Sequence, residues 1–246
     1  MAAAVDIATI ARWFTDGSHW QGSDGIPHRL AEHLTICGLS LAVAVGVALP
    51  VGIILGHLRK GGVLAENIAN LGRAVPSLAI LIIAVPFVGI GARPAELALI
   101  ALAVPPLLTN TYVGMAGVDE DVRDAARGLG MTGWQMVVRA EVPLALPLIL
   151  AGLRTAAFQV VATATLAAVV ASGGLGRYIV DGLAVRDNVE VVCGSLLVVA
   201  LAVTVEVLIA GIQRLAVAAP LRNPKSYTTD EQLEESVHET VLDPAA

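Results

Sequence analysis

Charge is scarce in this chain. Only 15% of its 246 residues are Asp, Glu, Lys or Arg, too few to cover the surface of a soluble domain of this size. The formal net charge of −6 offers no basic excess for nucleic acid. Much of the acid lies after Pro220 (Asp230, Glu231, Glu234, Glu235, Glu239, Asp243) and reads as a local solvated tail. Cysteine is nearly absent. Cys37 and Cys193 sit in no CxxC or metal-ligand spacing, so no metal site is expected. Each lies near the same end of an apolar run, which leaves a bridge geometrically open, but they read as two small core residues. HExxH and GxSxG signatures are missing, which argues against an intramembrane enzyme, and no GxxxxGK[ST] loop is present to hold nucleotide phosphates. No catalytic residue and no cofactor are expected. His28 and His33 are expected outside the membrane and read as solvated. No cleavable leader is expected, since residues 1–14 lack a basic stretch.

What the chain has is grease: 56% hydrophobic residues and a mean hydropathy of +0.77. Five apolar runs emerge, at about 31–56, 66–90, 95–117, 143–171 and 189–217, each long enough to cross the roughly 20-residue thickness of a bilayer. They do not alternate, so helices are expected and a membrane barrel is excluded. The reading is an all-α polytopic membrane protein with a five-helix transmembrane core. Residues 1–30, with Trp13, Phe14 and Trp20, read as an interfacial arm. Residues 31–219 form the transmembrane domain, and 220–246 an acidic tail expected to be disordered. With five spans, nine Lys and Arg residues fall on one side and five on the other. The richer side is cytoplasmic, which puts the N-terminus outside and the 118–142 loop and C-terminus inside. Pro50, Pro76, Pro86, Pro105, Pro106 and Pro147 lie in or near helices and favour kinks. Gly52 and Gly56 have the GxxxG spacing that permits close helix packing, whether by chance or as a dimer seam.

The 118–142 loop is too polar for hydrocarbon but has helical order. Val122, Ala125, Ala126 and Leu129 follow helical spacing and predict one apolar face. Asp119, Glu120 and Asp121 place negative charge at the start of that helix, where its dipole favours it. Gly128 and Gly130 end it, and Gly130 permits a sharp reversal. Thr132 and Gln135 fit a capping box opening a second helix that runs to Pro143. Two short helices meeting at a glycine make a protruding knuckle, with small Ala125 and Ala126 letting a partner approach.

Asp124-Ala125-Ala126, then Gly130, then Ala140-Glu141-Val142-Pro143 resembles the "EAA" loop of permease subunits in binding-protein-dependent ABC importers. That family's pattern is Glu-Ala-Ala, three residues, Gly, nine residues, Ile-x-Leu-Pro. The spacing holds here, with Asp124 for Glu, Ala140 for Ile and Val142 for Leu. Pro76-Ser77-Leu78-Ala79, Gly89-Ile90-Gly91, Asn110–Gly114, Pro143–Pro147 and Gly173-Gly174-Leu175-Gly176 look like the osmoprotectant branch, which imports glycine betaine, choline or carnitine. The resemblance covers roughly 15–222. It implies a transport subunit without catalysis of its own, in a bacterial cell membrane, paired with a second permease subunit. It further implies cytosolic ATPases gripping Asp124, Ala125, Ala126, Gly130 and Pro143 through a cytoplasmic coupling helix, and an extracytoplasmic substrate-binding protein. A permease for an amino acid such as methionine is the alternative substrate reading, and a stand-alone secondary transporter the alternative class.

Polar residues inside the runs complete the candidates. Arg154 and Glu206 fall at compatible depths, roughly 16 and 12 Å from the inner end at 1.5 Å per residue, and Arg73 is the rival partner. The expectation is a structural or gating ion pair among these three, against separate snorkelling of the arginines. Ser77, Asn110, Thr111, Gln159 and Thr163 are candidate path-lining residues, although helix-to-helix hydrogen bonding explains them nearly as well. Only nine aromatics are present, and they are scattered. No aromatic cage for a quaternary ammonium is visible, so the high-affinity site is expected on the binding protein.

Overall fold

The computed structural model describes residues 5–74 and 76–218, without the side chains of 64, 71, 73, 74 and 216–218. The acidic tail, 220–246, lies outside the described residues. The described residues through Gln213 form one compact unit. The described part is helical throughout. A short helix α1 (Ile7–Thr15) and a 3-10 turn (Gly17–Trp20) precede α2 (Ile26–His57), α3 (Gly62–Ala74), α4 (Ser77–Val88) and α5 (Ala92–Ala116). Then come α6 (Glu120–Gly128), α7 (Gly133–Met136), a π turn (Val137–Glu141) and α8 (Val142–Thr163). A 3-10 segment (Ala164–Val170), α9 (Gly176–Val185) and α10 (Asn188–Ala218) complete the order.

Among the described residues, four helices are long and apolar enough to cross a membrane: Ile26–His57, Ala92–Ala116, the continuous stretch Gly133–Val170, and Asn188–Leu215. This departs from the expected five. The run at 66–90 does not make one helix. Pro76 removes a backbone donor and disfavours helical geometry in the residue before it, so α3 stops at Ala74 and α4 restarts at Ser77 with Pro76 as its N-cap. The 12-residue α4 is apolar but short.

α5 is the central helix, with α2 and α8 packed along it and α3 and α4 also resting on it. The seams are narrow because glycine forms them. A β-carbon at Gly52 of α2 would lie 2.8 Å from Thr111 Cβ of α5, and one at Gly152 of α8 would lie 2.8 Å from Asn110 Cβ and 2.9 Å from the Pro106 carbonyl oxygen. The Gly52/Gly56 spacing therefore serves an intrachain seam, with Gly56 against Met115. Small residues continue the pattern: Ala44, Ala48, Ala98, Ala103 and Ala156 are buried in one cluster with Leu99, Leu107 and Val160. Cys37 and Cys193 are both free and buried, in separate clusters.

Residues 5–30 are ordered. Asp6 and Thr9 close a capping box on α1, and the bond from the Thr9 backbone N–H holds the Asp6 carboxyl below its usual range. Trp13 stacks on His19 and meets Tyr178 of α9 edge-on. The Tyr178 hydroxyl donates to the Asp24 carbonyl at 2.6 Å, and burial pushes it up to about 12, so it stays protonated. His33 corrects the expectation of a solvated imidazole. It is 1% exposed, with Nε2 at 3.0 Å from the Val161 carbonyl. The cause is the Gly173–Gly176 loop, which folds over the start of α2: the Gly174 N–H donates to Glu32.

Candidate functional site

The 118–142 segment forms an elbow. Asp119 caps α6 by accepting from the Asp121 N–H, and Glu120 and Asp121 occupy its first turn. Gly130 turns the chain with φ of +76°, a left-handed value that a β-carbon disfavours. Thr132 and Gln135 then close a reciprocal capping box. The second limb is not a separate helix ending at Pro143. α7 makes a single turn and passes through the π turn directly into α8. Pro143 has no N–H to offer the carbonyl four residues back, and the ladder widens: the Val142 N–H bonds to the Val137 carbonyl, five residues back. This limb of the elbow and the fourth expected span are one continuous rod.

The faces of α6 differ from the expected ones. Ala126 is buried, but its companion on the inner face is Arg123, 3% exposed. Val122, Ala125 and Leu129 face outward, Leu129 with 77% of its surface free. Trp134 and Val138 are likewise exposed. The elbow thus turns an apolar patch away from the bundle. Asp124 is exposed and pairs with Arg127 at 2.5 Å, and Arg127 also reaches Glu120. These two carboxylates hold the Arg127 guanidinium above its usual range. Arg59, after α2, pairs with Glu120 and donates to the Val118 carbonyl at 2.6 Å.

Arg123 is the root of the elbow. Its guanidinium donates to the His57 carbonyl at the end of α2 (3.1 Å) and to the Met115 carbonyl near the end of α5 (2.7 Å). Its Nε lies 3.2 Å from Oε1 of Glu141, which has no exposed surface. The other Glu141 oxygen lies 2.7 Å from His57 Nδ1. One buried knot therefore ties α6 to α2, α5 and the start of α8. Reasoning from sequence missed Arg123, Glu141 and His57 as functional residues. The available signal was Glu141 itself, a carboxylate between apolar Ala140 and Val142 at the mouth of a span.

Of the candidate path residues, Ser77, Asn110 and Gln159 meet in one groove of about 540 Å³, with Thr109, Thr155, Pro105 and Pro106. Among the described residues, its lining carries no charged side chain. Thr111 is not among them. It is fully buried on the α2–α5 seam, because Gly52 lets the two helices close over it. Thr163 lines a separate cavity of about 10 Å³ with Ser77 and Leu81. Arg154 of α8 and Glu206 of α10 are in direct contact. The Arg73 side chain lies outside the described residues.

Known proteins resemble this chain in sequence and in fold. Residues 48–220 match the family described as binding-protein-dependent transport system inner membrane component. The glycine betaine/carnitine/choline transport system permease protein OpuCB of Bacillus subtilis (strain 168) is 35% identical over 201 residues, 82% of this chain and 93% of that protein. The choline transport system permease protein OpuBB of the same organism is 36% identical with the same coverage. The carnitine transport permease protein OpuCB of Listeria monocytogenes is 39% identical over 71% of this chain and 80% of its own length. In fold, the chain resembles a chain in crystals of the inward-facing MetNI methionine ABC transporter. The TM-score is 0.66 at 21% identity, covering 76% of this chain and 93% of that one.

Proposed function

Since the chain belongs to the family of inner-membrane components of binding-protein-dependent transport systems, we propose that it is a permease subunit of an ATP-driven importer for osmoprotectants such as glycine betaine, choline or carnitine. The substrate class rests on the relatives, which are named for those solutes. The methionine transporter's likeness bears on fold alone at its low identity. The chain provides one wall of the path, with the Ser77–Asn110–Gln159 groove facing it. A second permease subunit provides the other wall, an extracytoplasmic binding protein delivers the solute, and cytosolic ATPases supply the energy. The N-terminus lies outside and the elbow and tail inside, and the core counts five spans if α3 and α4 together cross the membrane.

The observation that carries this reading is the elbow: an outward apolar patch on a polar loop, rooted by buried charges in three helices. A loop with no partner gains nothing from exposing Leu129, Trp134 and Val138 together. A partner seated there, with Ala125 and Asp124 beside the patch, pushes on a rod that continues into α8. Alternating access then follows from the different affinities of the ATPases for the two arrangements. The test is ATP-driven glycine betaine and choline uptake into vesicles carrying the complete importer. Gly130→Trp is expected to reduce uptake to near background at an unchanged membrane level. A side chain there is strained by about 1–2 kcal/mol and stands in the partner's way. Uptake without ATPase subunits, or unaltered uptake in Gly130→Trp, overturns the proposal.

A further inference from the structure

Arg154 and Glu206 pose a problem that their own pairing does not solve. Each sits near the middle of a helix that crosses the membrane, α8 and α10. Their side chains are 41% and 29% exposed, and charge turned toward hydrocarbon is costly. Both contacts from Arg154, through Nε and Nη2, land on the same oxygen, Glu206 Oε1. Among the described residues, neither Glu206 Oε2 nor Arg154 Nη1 makes a hydrogen bond. The pair borders a cleft of about 370 Å³ whose lining also includes Phe158, Thr155 and Gln213. Phe158 is exposed. Thr155 lines both this cleft and the groove of Asn110 and Gln159, so the two spaces adjoin across α8.

We propose that this cleft is a transient intramembrane site for a zwitterionic solute. Arg154 receives its carboxylate, and Glu206 with the Phe158 ring receives its quaternary ammonium. The chemistry favours this class on three counts. The cleft holds one fixed charge of each sign, so a net-neutral ligand with separated charges satisfies both at once. The resting Arg–Glu contact is exchanged for two contacts between opposite charges, so binding leaves neither charge unpaired. An aromatic face beside a carboxylate suits a methylated ammonium, which offers no N–H to donate and is attracted by the ring quadrupole. The exchange is close to balanced, which suits a stop along a path: a site there must be left as readily as it is entered. This inference rests on the osmoprotectant reading and goes further, because it separates two solutes within it. Glycine betaine carries a carboxylate and choline does not, so only glycine betaine uses Arg154.

The test is ATP-driven uptake of both solutes by the complete importer with wild-type, Arg154→Gln, Arg154→Lys, Glu206→Gln and Phe158→Leu chains. Arg154→Gln is expected to slow glycine betaine uptake about tenfold more than choline uptake, the range of a lost charge-assisted hydrogen bond. Arg154→Lys retains much of the wild-type ratio. Glu206→Gln slows both solutes, and Phe158→Leu, an exposed substitution that leaves the ion pair intact, slows both about threefold. If Arg154→Gln fails to assemble, the Lys and Leu variants still decide. An equal loss of both solutes in the arginine variants, or normal uptake of both in Phe158→Leu, overturns the site, as does a wild type that carries choline alone. A wild-type importer that moves neither solute instead overturns the substrate reading on which the site rests.

Discussion

Glu141 holds its carboxylate between Arg123 and His57 with no surface exposed. A buried ion pair is weak evidence of net stability, but removing one partner leaves the other charged and unsolvated. Glu141→Ala is therefore expected to destabilise the protein by about 3–5 kcal/mol, read as a lower melting temperature in detergent. Arg123→Met with Glu141→Leu removes both charges and should recover most of that loss, since His57 is partly exposed and can turn to water. If the knot only stabilises, the double variant also recovers uptake. If it transmits force, the double variant folds and ATP hydrolysis no longer drives transport. The sequence made Asp124, Ala125 and Gly130 legible because their spacing is a pattern. Arg123 and Glu141 were not, because both meet His57 at the end of α2, far away along the chain. Helical periodicity identified an apolar face of α6 but not which way it turned. It is the arginine face that packs inward, where three helix ends supply acceptors that water would otherwise replace.

At the scale of elements, the bundle is held by helices brought close at glycine. Gly152→Val would drive a branched side chain into Asn110 and the Pro106 carbonyl. The expected cost is about 1–3 kcal/mol, with α5 and α8 prised apart and little folded protein recovered. Gly46→Ala supplies the contrast. No atom lies within 4 Å of a β-carbon there, and replacing a mid-helix glycine gains about 1 kcal/mol. Equal melting temperatures for the two variants would count against close packing at Gly152. The apolar runs located three of the four long helices closely, since length and composition are local properties, whereas the stretch from Gly133 starts well before its run. The break between α3 and α4 was written in Pro76, but a proline inside a membrane helix is often tolerated, so the local signal did not decide between a kink and a stop. The continuity of the elbow with α8 was hidden for a related reason. Pro143 reads as a helix boundary, whereas the π turn absorbs its missing donor and lets the helix run on.

For the whole molecule, the arrangement is asymmetric along the membrane normal. At one end lie the elbow, Arg59 and the knot at the base of α2, α5 and α8. At the other lie α1, Trp13, Tyr178 and the Gly173–Gly176 loop clasped by Glu32. The proposed topology sets the elbow in the cytoplasm, on the nine-to-five bias of Lys and Arg that five spans would give. The two native cysteines are buried, so single cysteines placed at exposed positions report topology with little background. Leu129→Cys on the elbow and Gln21→Cys in the N-terminal arm are both exposed positions. In right-side-out vesicles a membrane-impermeant maleimide is expected to label Gln21→Cys and to spare Leu129→Cys until detergent is added. Inside-out vesicles should give the reverse. Adding the ATPase subunits to inside-out vesicles should then protect Leu129→Cys, because the proposed function seats them over Leu129, Trp134 and Val138. Labelling of Leu129→Cys from the outside would place the elbow on the wrong side for any cytosolic motor. Labelling from the inside that is indifferent to the ATPases would leave the patch exposed and the coupling routed elsewhere.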